Sequence, residues 1–502
     1  EVFNDEGNIG IKANNLRAYI DLNTRKGVFH SNGTSSYIEF PANNYISYID
    51  KLDWAMDAET FVLGNEASGL SKGSKFVSVH PLQDSLFFTA KSAFYSLKDY
   101  IIHTQGVDSI LVADATVFPD SGVVTIAKNG VMQTLFNAKI LVDDITQYHT
   151  FTNSTVDIKS AHKYVASANY TYKDAMSNEQ QIFFEEIKVN SDTITEGKGS
   201  VGDENPFRID SQFEFKGTVN LLSDKKNLIF DGFFIPKFRC TLFEKEWIKF
   251  RSEINPQEII FSLEEKLYND HNDLLSTGLI TSFDSTNLYS TFLSKKKRTA
   301  LDFDVFSASH SLKYDEKESA YIVGGPDSII NSYTLYDKSC STRGFGNIDL
   351  NVELGQINIK TLGSVNHNMA LKETDISGFL MLDFFFSDKA MEIMAKDMYS
   401  APGDGVFEYD KSFTNNLYRL LDKDIESILI DLELHDEYSK LPKEMYYSFV
   451  FPKNNFIWDN TNKAYVSKGE IWLSNIKDKQ THALVDGYII IEKRRNNDVL
   501  TI

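Results

Sequence analysis

Cysteine, proline, clustered positive charge and long apolar runs are all scarce in this chain. Cys240 and Cys340 are the two cysteines in 502 residues, and neither stands in a C-x-x-C pair or a metal-spaced cluster. A disulfide-rich scaffold is therefore excluded, which leaves open one disulfide in an oxidising compartment or two buried thiols. With 10 prolines set against 37 Phe and 24 Tyr, the composition is not that of a linker-rich or collagen-like chain. No run of about 18 apolar residues occurs, so no helix spans a bilayer. The formal net charge is −20, and Lys295-Lys296-Lys297-Arg298 is the one dense basic run. It reads as a solvated turn, and a nucleic-acid partner is not expected.

What is abundant is strand-forming material. Hydrophobic residues make up 42 %, enough for a buried core, and Phe, Tyr, Ile, Val and Thr suit a pleated, half-buried surface. Such a length predicts two or more domains or an elongated repeat array. A glycine followed by alternating apolar positions recurs seven times. The copies are Gly122-Val-Val-Thr-Ile126, Gly217-Thr-Val-Asn-Leu221, Gly346-Asn-Ile-Asp-Leu350, Gly355-Gln-Ile-Asn-Ile359, Gly378-Phe-Leu-Met-Leu382, Gly469-Glu-Ile-Trp-Leu473 and Gly487-Tyr-Ile-Ile-Ile491. Each reads as a turn glycine opening a period-2 strand. A second pattern, such as Ala113-Asp-Ala-Thr-Val117 and Asn153-Ser-Thr-Val156, returns about every 15 to 25 residues, the length of one coil in a stacked repeat. The expected fold is mainly β: an elongated stacked β-repeat or a multi-sheet sandwich, with a small α-helical insert.

Polar turns predict hairpins at Asn23-Thr-Arg-Lys-Gly27, Pro119-Asp-Ser-Gly122 and Ser223-Asp-Lys-Lys-Asn227. Ser387 is positioned to cap a helix over 388–398. Leu417, Leu420, Leu421, Ile425, Ile428, Leu429 and Leu432 form a longer helical stripe ending before Leu441-Pro442. The segment 255–280 is ambiguous, with a short helix as one reading of 259–267 and a turn at Asp270-His-Asn-Asp273. The regions are a β-repeat over 1–250, a mixed connection over 251–300, a β region over 301–385, an α-rich insert over 386–445 and a closing β region over 446–502. Candidate boundaries fall near 198–205, 284–298 and 401–405. Glu1 in place of Met, and a strand-like end at 498–502, suggest a mature product or part of a longer polypeptide.

Chemical motifs are weak. Gly69-Leu-Ser71-Lys-Gly73 has the spacing of a nucleophile elbow, but a strand rather than a helix follows it. Asp302 with Asp304, or Asp143 with Asp144, are the carboxylate pairs available to a glycosidase, and Asp302 and Asp304 would share a strand face. Asn269-Asp270-His271-Asn272-Asp273 lacks the ligand spacing of a calcium loop. Scattered histidines and the four tryptophans read as core or surface residues. No cofactor or metal site is expected, and the reading is of a structural or interaction protein rather than an enzyme.

The segments Ile11-Lys-Ala-Asn-Asn-Leu-Arg-Ala-Tyr-Ile-Asp-Leu22 and Lys26-Gly-Val-Phe29 resemble the rungs of β-taco proteins in the lipopolysaccharide-export family. Lys216-Gly-Thr-Val-Asn-Leu221 and Asp486-Gly-Tyr-Ile-Ile-Ile491 have the same character. The Phe/Tyr/Asn/Lys/Ile-rich style also resembles large envelope proteins of Bacteroidetes-type bacteria. The resemblance implies an elongated β structure in the periplasm, outer membrane or cell surface of a Gram-negative bacterium. The expected role is a non-catalytic scaffold in a larger polypeptide or complex. Its partners are envelope proteins or further repeats, docked through Leu417, Leu421, Ile425, Ile428 and Leu432. A lipid- or glycan-handling groove lined by Phe87, Phe118, Phe136 and Phe184 is the alternative, and a β-scaffold hydrolase the third reading. Inward-facing Asp114 and Asp157 would not suit a lipid lumen.

Overall fold

Alternating burial along the strands is the local signature of the fold. In Ile101–Gln105 the side chains of Ile102 and Thr104 are buried while His103 and Gln105 face water. The computed structural model describes residues 1–502 except 5, 34, 49–50, 65–72, 144, 203–206, 285–286, 296–298, 326–329, 401–406, 423–424 and 495–496. The Gly69–Gly73 motif, most of the 295–298 basic run, Asp144 and the 401–405 boundary thus fall wholly or largely outside the described residues. All described strand pairings are antiparallel. The mainly β, multi-sheet expectation with a small helical insert is met, and it takes the form of meanders rather than coil stacked on coil.

The chain divides into two compact units: Glu1–Asp210 with Phe215–Gly232 and Arg251–Glu258, and Ser211–Glu214 with Phe233–Phe250 and Ile259–Ile502. The first unit holds a six-stranded sheet from Val2–Phe3 to Phe87–Ala90 and a seven-stranded sheet with Val124–Ile126 at one edge and Leu16–Asp21 at the other. A long meander then runs from Ile110–Val112 to Thr195–Val201, whose far side pairs in register with Gly217 through Leu222. Asp114 sits at this meander's end, accepting from the Thr195 amide at 2.9 Å, from Thr195 Oγ1 at 2.6 Å and from Ser223 Oγ. It ties turns together. Asp157 is half-buried, bonded to Thr134 Oγ1 at 2.6 Å.

The second unit holds a large sheet running from Ile260–Ser262 to Val499–Thr501 and a smaller one built on Leu274–Thr281 and Leu288–Lys295. At a buried contact between them, Ser290 Oγ, Tyr333 Oη and Thr342 Oγ1 bond to one another at 2.6, 3.2 and 2.9 Å. Phe306 stacks beside them on Tyr333. Three helices enter between Glu373–Asp383 and Phe449–Asp459: α1, Asp388–Tyr399; α2, Lys411–Leu421; and α3, Glu426–His435. Ser387 caps α1 as expected, accepting from the Ala390 amide.

Four details differ from the sequence reading. Gly217, Gly346 and Gly378 lie inside strands rather than at their starts. Gly363 and Gly378 are cross-strand partners, and a Cβ on Gly378 would lie 2.1 Å from the Leu362 carbonyl oxygen. These glycines permit close backbone approach. The hairpin expected at Pro119–Gly122 does not form. Ala115–Phe118 pairs with Ile110–Val112 and Leu135–Val142, whereas Val124–Ile126 pairs with Ile101–Gln105. The turn, with Ser121 at φ +53°, carries the chain between sheets. The option of a helix over 259–267 is lost to strand pairing of Ile260–Ser262, because Phe261 wedges among Phe213, Phe234 and Phe250. The long helical stripe is broken at Asp422, which adopts φ +49° and ends α2.

Cys240 and Cys340 are joined by a disulfide that closes a separation of 100 residues. A loop of that size strongly restricts the unfolded chain, so Cys240→Ser or Cys340→Ser should cost about 2–5 kcal/mol. Urea denaturation with and without reductant checks this, and the reduced wild type should match the variants.

Candidate functional site

Helix α2 is placed by its apolar face. Asp410 caps it, accepting from the Phe413 amide at 2.8 Å, and also pairs with Lys453 at 3.2 Å. Leu417, Leu421, Ile425 and Leu432 are buried with Leu362, Phe379, Met381, Val450 and Trp472, and Ile428 packs against the same cluster half-buried. Four of the five residues expected to meet a partner thus sit inside the chain's own core, and Ile428 packs at its margin. Docking through them would require the helices to leave the sheet.

The same packing delivers Arg419, a residue the sequence reading passed over. Its Nη1 donates to Asn331 Oδ1 at 3.0 Å, its Nη2 to the Ile330 carbonyl at 2.6 Å, and its guanidinium lies 5.0 Å from the centre of the Phe345 ring. Arg419 is only 6 % exposed, and its Nε has no hydrogen-bond partner. Burial pushes its pKa down to about 10, so it stays charged at neutral pH. Asn331 completes a clamp: its Nδ2 donates to the Ser307 carbonyl at 2.9 Å, and its Oδ1 accepts from the Asn347 amide at 3.0 Å. Gly346 makes room for it, because a Cβ there would stand 2.0 Å from Asn331 Oδ1 and 2.7 Å from Arg419 Nη1.

Arg419 borders an open cleft of about 530 Å³ that is also lined by Asp304, Asn347, Asp349, Lys360 and Thr361. Its described lining residues include two carboxylates and two cations, and no histidine or cysteine. That set can hold charged and hydroxylated groups, but offers no nucleophile paired with an imidazole base. Among the described residues, no group of three His, Cys, Asp or Glu could hold a metal ion.

Of the two carboxylates weighed as a glycosidase pair, Asp304 lines the cleft and Asp302 is buried. Asp302 accepts from Tyr289 Oη at 2.6 Å, from Thr299 Oγ1 at 2.6 Å and from the Phe283 and Thr299 amides at 2.9 and 3.1 Å. Burial pushes its pKa upward, but these donors outweigh burial and lower it from 3.8 to about 2. Asp143 accepts from the Ile145 and Thr146 amides in a turn. Asn269 does the same for His271 and Asp273, which accounts for the loop there without a cation. His367 is a core residue bonded to Thr374 Oγ1 at 2.9 Å, its pKa lowered by burial to about 4. Trp54 is half-buried and stacks on Phe61, and Trp458 and Trp472 are buried. The four phenylalanines expected to line a groove differ in burial: Phe87 and Phe136 are exposed, Phe118 is half-buried and Phe184 is buried against Phe151 and Tyr170.

No protein-family model matches the chain, and the search of curated proteins finds no significant match.

Two outcomes test this geometry. Gly346→Ala, at φ +156°, should destabilise the chain by roughly 2–4 kcal/mol through backbone strain and overpacking against Asn331, read by chemical denaturation. Asp302 has a folded pKa below its ordinary value, so its stabilisation is complete above about pH 4 and is lost as pH falls towards about 2. The stability gap between wild type and Asp302→Asn should therefore be full at pH 7 and shrink across that window.

Proposed function

We propose that the chain is a non-catalytic β-scaffold of a Gram-negative cell envelope, built to join a larger polypeptide or complex. A large, mostly β-sheet protein without a metal-holding cluster among its described residues is consistent with a structural module. One observation carries the assembly role. The strand Leu16–Asp21 ends its sheet, pairing with Lys26–Ser31 on one side and with no other strand among the described residues. Tyr19 is 70 % exposed, Ile20 49 % and the adjoining Leu22 74 %. Such an edge leaves backbone donors and acceptors and apolar side chains ready for an added strand.

The envelope assignment rests on two supports. The Ile11–Leu22 segment resembling lipopolysaccharide-export rungs contains this same edge. The Cys240–Cys340 disulfide suits an oxidising compartment. The occupant of the edge would be a strand from an envelope protein or a further repeat.

Crosslinking of the native protein in gently solubilised envelopes, followed by mass spectrometry, tests this reading. Crosslinks should cluster at 16–22. The double variant Tyr19→Lys with Ile20→Lys should abolish them while keeping the β circular-dichroism signal, because charge on an edge blocks strand addition. A protein recovered without partners would sink the scaffold reading.

A further inference from the structure

The open edge Leu16–Asp21 carries a pattern that specifies its occupant. The Asn32 amide donates to the Asn15 carbonyl at 3.2 Å, which fixes the phase of the pairing with Lys26–Ser31. Peptide groups alternate in direction along an antiparallel strand. Arg17, Tyr19 and Asp21 therefore turn theirs toward Lys26–Ser31, and Leu16, Ala18 and Ile20 turn theirs outward. Arg17, Ala18, Tyr19 and Ile20 are all exposed, so both faces of the strand are open there.

A second copy of this strand, laid antiparallel and centred on Tyr19, matches it on both faces. Arg17 falls opposite Asp21 of the second copy, and Asp21 opposite its Arg17, on either side of a Tyr19–Tyr19 contact. On the other face Ala18 falls opposite Ile20 and Leu16 opposite Leu22, apolar against apolar. The outward peptide groups of Ala18 and Ile20 then exchange hydrogen bonds. Positions 17, 19 and 21 take the non-hydrogen-bonded sites, where facing side chains come closest. Centring the pairing on Ala18 or Ile20 instead sets Arg17 against Tyr19 or Asn23, and both charge pairs are lost. Asp21 Oδ1 already accepts from the Asn23 and Thr24 amides at 2.9 and 3.3 Å. Amide donors leave the carboxylate charged, and the match uses that charge rather than a free oxygen.

We infer that two copies of this chain join edge to edge along Leu16–Leu22, about a two-fold axis at Tyr19, so that each copy offers the other the same self-complementary surface. The inference rests on the reading of this edge as a site of strand addition and names a second copy of the chain as its occupant. The contact spans one short strand, less than a standard stable interface, so the dimer is weak and forms at high concentration.

Sedimentation velocity of the purified full chain should show monomer at about 1 μM and a growing dimer fraction towards about 200 μM. Arg17→Glu and Asp21→Lys should each weaken self-association at least about tenfold, because each sets like charges opposite one another twice. Mixed in equal amounts, the two variants should recover the dimer, since the acid introduced at position 17 then faces the base introduced at position 21. Tyr19→Cys should oxidise to a disulfide-linked dimer and Arg17→Cys should not, because position 19 meets its own copy and position 17 does not. If Asp21→Lys disrupts the hairpin, as read by circular dichroism, the two cysteine variants decide. A wild type still monomeric at about 200 μM, an undiminished dimer in Arg17→Glu, no recovery on mixing, or equal crosslinking of both cysteine variants would each overturn the proposal. A monomeric chain whose crosslinks at 16–22 reach other envelope proteins alone would overturn self-association and leave the edge reading standing.

Discussion

Antiparallel pairing of backbone N–H and C=O groups is the constraint on which the rest of this structure depends. A buried strand must satisfy both of its sides, so the chain meanders and each strand lies beside its predecessor wherever a short turn allows. Close approach between neighbours then decides where side chains are permitted. At Gly363 and Gly378 the facing backbones leave no room for a Cβ. Where the meander stops, the pairing requirement is left open, as along Leu16–Asp21. This exposed edge of the first unit is thus a consequence of the same rule that builds its interior.

A second constraint acts on polar groups in the interior, most of which must find a partner. Asp302 gathers four donors around one carboxylate, and Asp114 draws together the turns at Thr195 and Ser223. Such carboxylates organise loops that the hydrophobic pattern leaves unspecified. Arg419 departs from the pattern because its partners are neutral. It occurs where α2 meets the sheet, at the rim of the 530 Å³ cleft.

The helical segment shows how an apolar stripe differs from a docking surface. Leu417, Leu421, Ile425 and Leu432 have the spacing of a face that must be covered, and the sheet beneath covers it. Periodicity specifies that a face will be buried but not by what. Both the chain's own sheet and a foreign partner satisfy the same pattern.

Local pattern alone determined the β class, the helix beginning after Ser387 and the turns at 23–27 and 223–227. Strand alternation, capping and turn chemistry act over a few residues and are written in consecutive positions. Tertiary structure alone decided which strands pair, as in the separation of Ala115–Phe118 from Val124–Ile126, and it recast Phe261 as a strand residue through its contact with Phe213. It also joined Cys240 to Cys340 and brought Arg419 to Asn331 across 88 positions. These outcomes rest on contacts between residues far apart in the chain, whose partners no local window contains.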